Sequence, residues 1–208
     1  MSQAEIKDPR SRLRREYRRA QIAQAAHALF ESRGYAEASV DLIAEHAGLS
    51  KSTLYTYFTS KEEIVAACFA SVEAELHSRI DAAQRGRVTL EERLVAAITA
   101  TIEHIDMHRG FLIAMAGHVL PEAEDASPGL VAFEGYTQKL AEILALAPHP
   151  IGDPKLAARL LATLVLGALA LRVREGYACA HLAADEAASL CQFALHGLVA
   201  RREKPATL

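Results

Sequence analysis

The strongest constraint on the fold lies in residues 39–63, where two short helical segments flank the sequence A-G-L-S at positions 47–50. Ser39 is a favourable N-cap for a helix over 40–47, and Ser50 is one for a helix over 51–57. Gly48 suits a sharp turn between them, because glycine adopts a positive φ without a Cβ clash. We therefore predict two short helices joined by a tight turn, which is the arrangement of a helix-turn-helix.

Helix signals continue along the chain, whereas alternating β-branched runs and Asn-Gly or Asp-Gly hairpins are absent. Two capping boxes, Ser60 with Glu63 and Thr89 with Glu92, each predict a helix start. Asp153 before Pro154 and the later Asp185 predict two more. The helix that begins at the Ser60 capping box should end at about residue 83. The other boundaries predict helices over about 14–32, 90–108, 130–146, 154–175 and 186–202. Between them lie an apolar piece over 111–120 and an acidic loop over 121–129. The predicted fold class is all-α, with about nine helices.

The distribution of charge divides the chain into two parts. Residues 1–61 carry ten Lys/Arg and seven Asp/Glu, whereas residues 62–208 carry thirteen and nineteen. A basic segment attached to an acidic body favours a local site for a polyanion. We predict an N-terminal arm with a three-helix helix-turn-helix domain over 1–60, and a second helical domain over 61–208.

Several classes of protein are disfavoured by the sequence. Three widely spaced cysteines argue against a disulfide framework and favour a reducing, cytoplasmic location. No apolar run reaches the roughly 20 residues of a transmembrane helix, and the N-terminus lacks the apolar stretch of a secretory signal. No phosphate-binding loop, nucleophile elbow or zinc signature is present, so we expect no enzyme, no catalytic residue, no cofactor and no bound metal.

The second helix of the predicted helix-turn-helix has two distinct faces. Leu54 and Phe58 complete a small core with apolar residues of the preceding helices, which are Leu29, Phe30, Val40, Ile43, Ala44, Ala47 and Leu49. The other face is left with Lys51, Ser52, Thr53, Tyr55, Thr56 and Tyr57. Short hydroxyl-bearing side chains let a helix lie deep in the major groove, where they reach base edges and phosphates. This face predicts DNA binding.

At this point the residues resemble a known family. Residues 14–63 look like the DNA-binding domain of the TetR family of transcriptional regulators. The motifs are I-A-x-A-A-x-x-L-F over 22–30, G-Y at 34–35, S-V-x-x-I-A-x-x-A-G-L-S over 39–50 and K-S-T-L-Y-T-Y-F-x-S-K-E over 51–62. The resemblance implies a homodimer whose recognition helices enter successive major grooves of a palindromic operator in double-stranded DNA. It also implies a pocket for a small-molecule effector in the C-terminal domain.

The resemblance implies DNA contacts at matching positions of this chain, which are Ser39, Ser50, Ser52, Thr53, Tyr55, Tyr57 and Lys61. Of these, Tyr55, Tyr57 and Lys61 would mostly contact phosphates, whereas Ser52 and Thr53 are better placed for base contacts. Lys51 occupies a position that varies in the family, and we expect it to contact a guanine.

Two features of the N-terminal part depart from this simple pattern. Asp41 stands where many members carry a base-contacting residue, so it either accepts from cytosine or stabilises the helix N-terminus; we favour the second role. The arginines at positions 10, 12, 14 and 15 form either an arm toward the minor groove or a solvated tail.

The last two helices predict a dimer interface. They carry more apolar residues than one subunit easily covers: Leu156, Leu160, Leu161, Leu164, Val165, Leu169 and Leu171, then Leu190, Cys191, Phe193, Ala194, Leu195 and Leu198. The resemblance implies the same four-helix interface between two subunits.

The predicted effector pocket mixes apolar bulk with a few polar groups. Its candidate residues are His104, Met107, Phe111, Met115, His118, Phe133 and Tyr136. The function these expectations describe is a homodimeric repressor released from its operator by the effector. The alternative is a DNA-binding regulator whose C-terminal domain binds a protein partner, or which acts as an activator.

Overall fold

The computed structural model describes residues 9–115, 128–148, 152–175 and 183–198. Within these residues there are nine α-helices and no β-strand, which confirms the predicted all-α class. The helices are α1 (Pro9–Glu37), α2 (Val40–His46), α3 (Lys51–Tyr55), α4 (Lys61–Ala83), α5 (Leu90–Met107), α6 (Arg109–Met115), α7 (Pro128–Leu144), α8 (Pro154–Glu175) and α9 (Ala183–Leu198).

Helix α1 begins earlier than its apolar pattern indicates. In the described part of the chain it includes Pro9 and so extends five residues before the predicted start at residue 14. The arginines from Arg10 to Arg15 therefore lie exposed on a helix and do not form an irregular tail, whereas their contact with DNA stays a prediction. Gly34 interrupts α1 at the predicted position with a φ of 79°.

The helix-turn-helix forms around the predicted caps. The Ser39 hydroxyl accepts a hydrogen bond from the Leu42 N–H at 3.3 Å, and the Ser50 hydroxyl accepts one from the Thr53 N–H at 3.2 Å. Gly48 has a φ of 67°, which an L side chain would disfavour. Helix α3 ends at Tyr55, two residues before the predicted end, and the turn that follows is closed by a bond from the Tyr57 N–H to the Leu54 carbonyl.

The described residues divide into two compact units. Unit 1 comprises residues 9–75, 108–115 and 128–132, and unit 2 comprises residues 76–107, 133–148, 152–175 and 183–198. The core of unit 1 contains Leu29, Phe30, Ile43, Ala44, Leu54 and Phe58, as predicted, while Val40, Ala47 and Leu49 are partly buried against it. Helix α6 packs along α1 and adds Phe111 and Met115 to this core. The predicted domain boundary after residue 60 stays a prediction.

Unit 2 has its own apolar core. Helix α5 packs against α8 and α9, and α7 contributes Leu140, Ile143 and Leu144. Its helix starts follow the predicted chemistry: the Glu92 carboxylate accepts from the Thr89 N–H at 3.0 Å, while the Thr89 hydroxyl accepts from the Glu92 N–H at 3.2 Å. The Asp153 carboxylate accepts from the Lys155 N–H at 3.0 Å at the start of α8.

Two predicted boundaries in the second half are wrong. Pro128 and Gly129 belong to α7 instead of the loop. Residues 121–127 of that loop lie outside the described part of the chain. Helix α9 starts at Ala183, so Asp185 lies in its first turn, where a carboxylate is also favourable, and does not cap it. No helix among the described residues is long and apolar enough to cross a membrane.

Candidate DNA-binding site

Helices α2 and α3 present most of the predicted contact residues on the surface of unit 1. Ser39, Ser50, Ser52 and Tyr55 are exposed, whereas Thr53 and Tyr57 are half-buried. Leu54 and Phe58 are fully buried beneath them. The burial of these two side chains determines which face of α3 points outward, so the two-faced pattern in the sequence is confirmed.

A small network of hydroxyl groups forms the start of α3. The Ser50 Oγ lies 3.0 Å from the Ser52 Oγ and 2.8 Å from the Thr53 Oγ1. Each hydroxyl both donates and accepts, so these bonds can exchange for bonds to phosphates or base edges without leaving a buried polar group unpaired. The network therefore orders the three side chains before any ligand is present.

The sequence analysis gave Lys51 no partner within the protein, but in the structure Lys51 forms an ion pair with Asp41. Its Nζ lies 2.9 Å from both carboxylate oxygens of Asp41, across the turn between α2 and α3. The hydrogen bond to Asp41, and then its charge, raise the pKa of Lys51. Asp41 thus has a direct side-chain partner in addition to its favourable place in the first turn of α2.

Lys61 is anchored to the fold at the start of α4. Its ammonium group donates to the Tyr35 carbonyl and lies 3.9 Å from the centre of the Tyr35 ring. Burial lowers the pKa of Lys61. The Tyr35 hydroxyl donates to Glu62 at 3.0 Å, and burial raises the pKa of Tyr35 to about 12. Lys61 therefore has a structural role in addition to any contact with a phosphate.

Arg19 is a positioning residue that the sequence analysis missed. Its guanidinium donates to the Tyr57 carbonyl and, at 2.9 Å, to Glu63, and it lies 4.0 Å from the centre of the Phe58 ring. The Glu63 carboxylate also accepts from the Thr59 N–H at 2.7 Å, which is the main reason why the pKa of Glu63 is lowered. These contacts join α1 to the segment between α3 and α4 and to the first turn of α4.

The residues predicted for an effector pocket occupy different places. Phe111 and Met115 are buried in the core of unit 1. His104 and Tyr136 are buried in unit 2, and Phe133 is partly buried against its core. Met107 is exposed at the end of α5, and His118 lies outside the described residues. The effector pocket stays a prediction.

The described residues also form cavities that involve none of these seven. One, of about 470 Å³, lies within unit 1 between α1 and α4 and is lined by Tyr17, Gln24, His27, Cys68, Glu75 and His108, among others. There the His27 Nε2 lies 3.2 Å from the His108 Nδ1. Burial, followed by the charge of His108, lowers the pKa of His27. A second cavity, of about 490 Å³, lies along α5 within unit 2.

Comparison with known proteins gives the same class of protein as the geometry. Residues 22–68 match the family model described as "Bacterial regulatory proteins, tetR family". The chain is 32% identical over 136 residues to the HTH-type transcriptional activator FasR of Mycolicibacterium smegmatis, which covers 65% of this chain and 62% of FasR. The chain thus spans less than two thirds of this curated relative's own length.

Solved structures share the fold over most of their length. A TetR-like transcriptional regulator from Rhodococcus sp. RHA1 has a TM-score of 0.62 at 27% identity, covering 88% of this chain and 97% of that one. The regulator FadR from Bacillus subtilis, solved in complex with stearoyl-CoA, has a TM-score of 0.69 at 20% identity, covering 82% and 96%. These proteins are named as transcriptional regulators. Residues 22–68 of this chain therefore carry the signature of the tetR family of bacterial regulatory proteins, and the chain as a whole is similar to TetR-like regulators.

The Arg19 contacts generate a stability prediction. We expect Arg19→Ala to lower the free energy of unfolding by about 1.5–3 kcal/mol, because it removes hydrogen bonds to a carbonyl and a carboxylate. The neighbouring Arg18→Ala is the matched control: Arg18 is exposed and bonds to Gln21 within its own helix, so its effect should stay within about 0.5 kcal/mol. Urea denaturation followed by circular dichroism measures both. Equal losses for the two variants would contradict the positioning role.

Proposed function

We propose that this protein is a homodimeric, DNA-binding transcriptional repressor, which a small-molecule effector releases from a palindromic operator. The observation that carries the proposal is the exposed hydroxyl face of α3. This short helix is capped by Ser50, buried through Leu54 and followed by a segment that Arg19 ties to α1. A rigid helix with short polar side chains on its outer face fits the major groove.

The predicted contacts divide into two roles on this face. Ser52 and Thr53 are proposed to contact base edges, and Ser39, Ser50, Tyr55, Tyr57 and Lys61 to contact phosphates. The Tyr55 side chain is 46% exposed, which leaves its hydroxyl within reach of a DNA backbone. Phosphate contacts position a protein on the duplex, whereas base contacts determine sequence preference.

A pair of threonines separates base recognition from general helix stability. We expect Thr53→Ala to change the preferred base at one position of each half-site. It should also lower the affinity of the protein for its operator by roughly 5- to 100-fold. The matched control is Thr56→Ala, since the exposed Thr56 hydroxyl donates to the Thr53 carbonyl of its own chain at 2.7 Å. Fluorescence anisotropy with wild-type and single-base-changed operators measures both. An unchanged base preference in Thr53→Ala would argue against base contact by this residue.

The proposed dimer uses α8 and α9. Leu161, Val165 and Leu169 of α8 are buried within the subunit, but Leu156 and Leu160 on its other side remain more than half exposed. Phe193 of α9 is 71% exposed. Large apolar side chains grouped on two adjacent helices are characteristic of a homodimer interface, and TetR-like regulators provide the precedent.

A charged substitution on this surface tests the dimer. We expect Leu160→Glu to dissociate the dimer, because two carboxylates would be buried in an apolar interface. Val88→Glu is the control, since Val88 is 84% exposed in the segment between α4 and α5. Sedimentation velocity distinguishes monomer from dimer. A monomeric wild-type protein, or a Leu160→Glu variant that stays dimeric, would be inconsistent with the proposed interface.

Acyl-CoA thioesters are the effector class that we propose. The support is the similarity of the fold to FadR, which binds stearoyl-CoA. Unit 2 also contains polar groups within its apolar core. Burial raises the pKa of the Tyr136 hydroxyl, and the adjacent Thr101 hydroxyl offsets part of this rise. His104 is buried as well. Ligand pockets typically combine such isolated polar groups with apolar walls.

The effector proposal is tested by titration of the protein–operator complex. We expect stearoyl-CoA to reduce operator affinity at least tenfold. By linkage, it must then bind the DNA-free protein at least tenfold more tightly than it binds the protein–operator complex. Free coenzyme A and acetyl-CoA are the controls for the headgroup without a long chain. Operator affinity that is the same with all three compounds would exclude acyl-CoA release.

The alternative is an activator, or a regulator that responds to a protein partner. The relative FasR is named a transcriptional activator, which is the observation that favours the first of these. A reporter gene under an operator-bearing promoter distinguishes an activator from a repressor. Deleting the regulator raises transcription if it is a repressor and lowers it if it is an activator.

A further inference from the structure

The ion pair between Asp41 and Lys51 is unusual for a surface that is proposed to contact a polyanion. The pair lies beside Ser50 and Ser52, at the turn between α2 and α3, and the two side chains are 64% and 54% exposed. Solvent screens such an exposed pair, so it contributes little to folding stability.

We infer that Asp41 and Lys51 act together as one recognition element for a single G·C base pair, in which Lys51 donates to guanine and Asp41 accepts from cytosine. This inference rests on the proposed DNA-binding function, and it adds Asp41 to the residues that determine sequence specificity. It also assigns the two side chains a joint role, whereas the sequence alone suggested a separate role for each.

The geometry of the pair matches the major-groove edge of a G·C pair. Guanine presents O6 and N7 as acceptors, and cytosine presents its N4 amino group as a donor. O6 and N4 are hydrogen-bonded to each other, so they lie about 2.9 Å apart. The protein presents a donor and an acceptor that are also 2.9 Å apart. One donor–acceptor pair can therefore face the other directly.

An A·T pair is a poorer match for the same two side chains. It also has an adjacent acceptor and donor, thymine O4 and adenine N6, but the thymine acceptor is flanked by a methyl group. In guanine the acceptor O6 is flanked by a second acceptor, N7, and an ammonium group with three donors can use both. Lys51 therefore favours guanine.

The ion pair also explains how a carboxylate can lie at this surface. An unpaired carboxylate would be repelled by the phosphates and would be costly to desolvate. The Lys51 ammonium cancels the charge of Asp41, so the pair as a whole is neutral toward DNA. Its contribution to binding should consequently depend on the base sequence and hardly at all on the salt concentration.

Three variants test the inference by selection of bound sequences from a random duplex pool. Asp41→Ala should lose the preference for G·C at one position of each half-site, by roughly 5- to 100-fold, because a methyl group cannot accept a hydrogen bond from cytosine N4. The variant should also free Lys51 to contact a phosphate, which raises affinity for unrelated DNA. The slope of log binding constant against log salt concentration should then become steeper by about one. Glu45→Ala is the matched control: it removes the same charge and side-chain acceptor from an exposed position of α2, and its motif should equal that of the wild type.

The charge-swapped variant Asp41→Lys/Lys51→Asp keeps the ion pair and the net charge but exchanges donor and acceptor. We expect it to prefer the inverted pair, C·G, at the same position. Thermal denaturation verifies that each variant is folded. If the wild type selects a palindrome and all variants select the same one, the inference is overturned while the proposed function stands.

Two further outcomes are informative. A change that falls on an A·T position overturns the assignment to G·C. If the wild type selects no motif at all, the proposed function itself fails, and the inference fails with it.

Discussion

The burial of Leu54 and Phe58 beneath α3 is the constraint on which the DNA-binding site depends. Leu54 in α3 and Phe58 in the segment after it are both fully buried, so together they fix the orientation of the helix about its axis. Arg19 reinforces this from α1, because its guanidinium covers the Phe58 ring and bonds to the Tyr57 carbonyl. The outward direction of Ser52, Thr53 and Tyr55 follows from these contacts. A polar surface would be of little use for recognition if its helix could turn.

The electrostatics of this surface differ from a simple basic patch. Lys51 is neutralised by Asp41, and Lys61 is half-buried against Tyr35. Phosphate neutralisation would then fall mainly to the arginines of α1, which are exposed over residues 10–18. In the proposed function, the salt-dependent part of DNA affinity would then come mainly from α1 and the sequence-dependent part from α2 and α3.

Local features were predictable from the sequence, and contacts between distant residues were not. The caps at Ser39 and Ser50 and the turn at Gly48 involve residues only a few positions apart, so their chemistry is visible in the sequence. The Arg19 contacts join residues 38 and 44 positions apart, and nothing in the sequence near Arg19 indicates them. The partnership of Asp41 with Lys51 likewise requires the angle between α2 and α3. The sequence predicts Phe111 and Met115 as pocket residues, because apolar residues suit a core and a pocket equally well. The structure instead places both in the core of unit 1.

The measurement that tests the account most directly is selection of bound sequences from a random duplex pool by the purified wild-type protein. We predict enrichment of a two-fold symmetric sequence whose half-site centres are about one helical turn, roughly 10 base pairs, apart or a multiple of it. Enrichment of a single, non-repeated site would contradict the dimeric arrangement. No enrichment at low salt would contradict the assignment of α3 as a recognition helix.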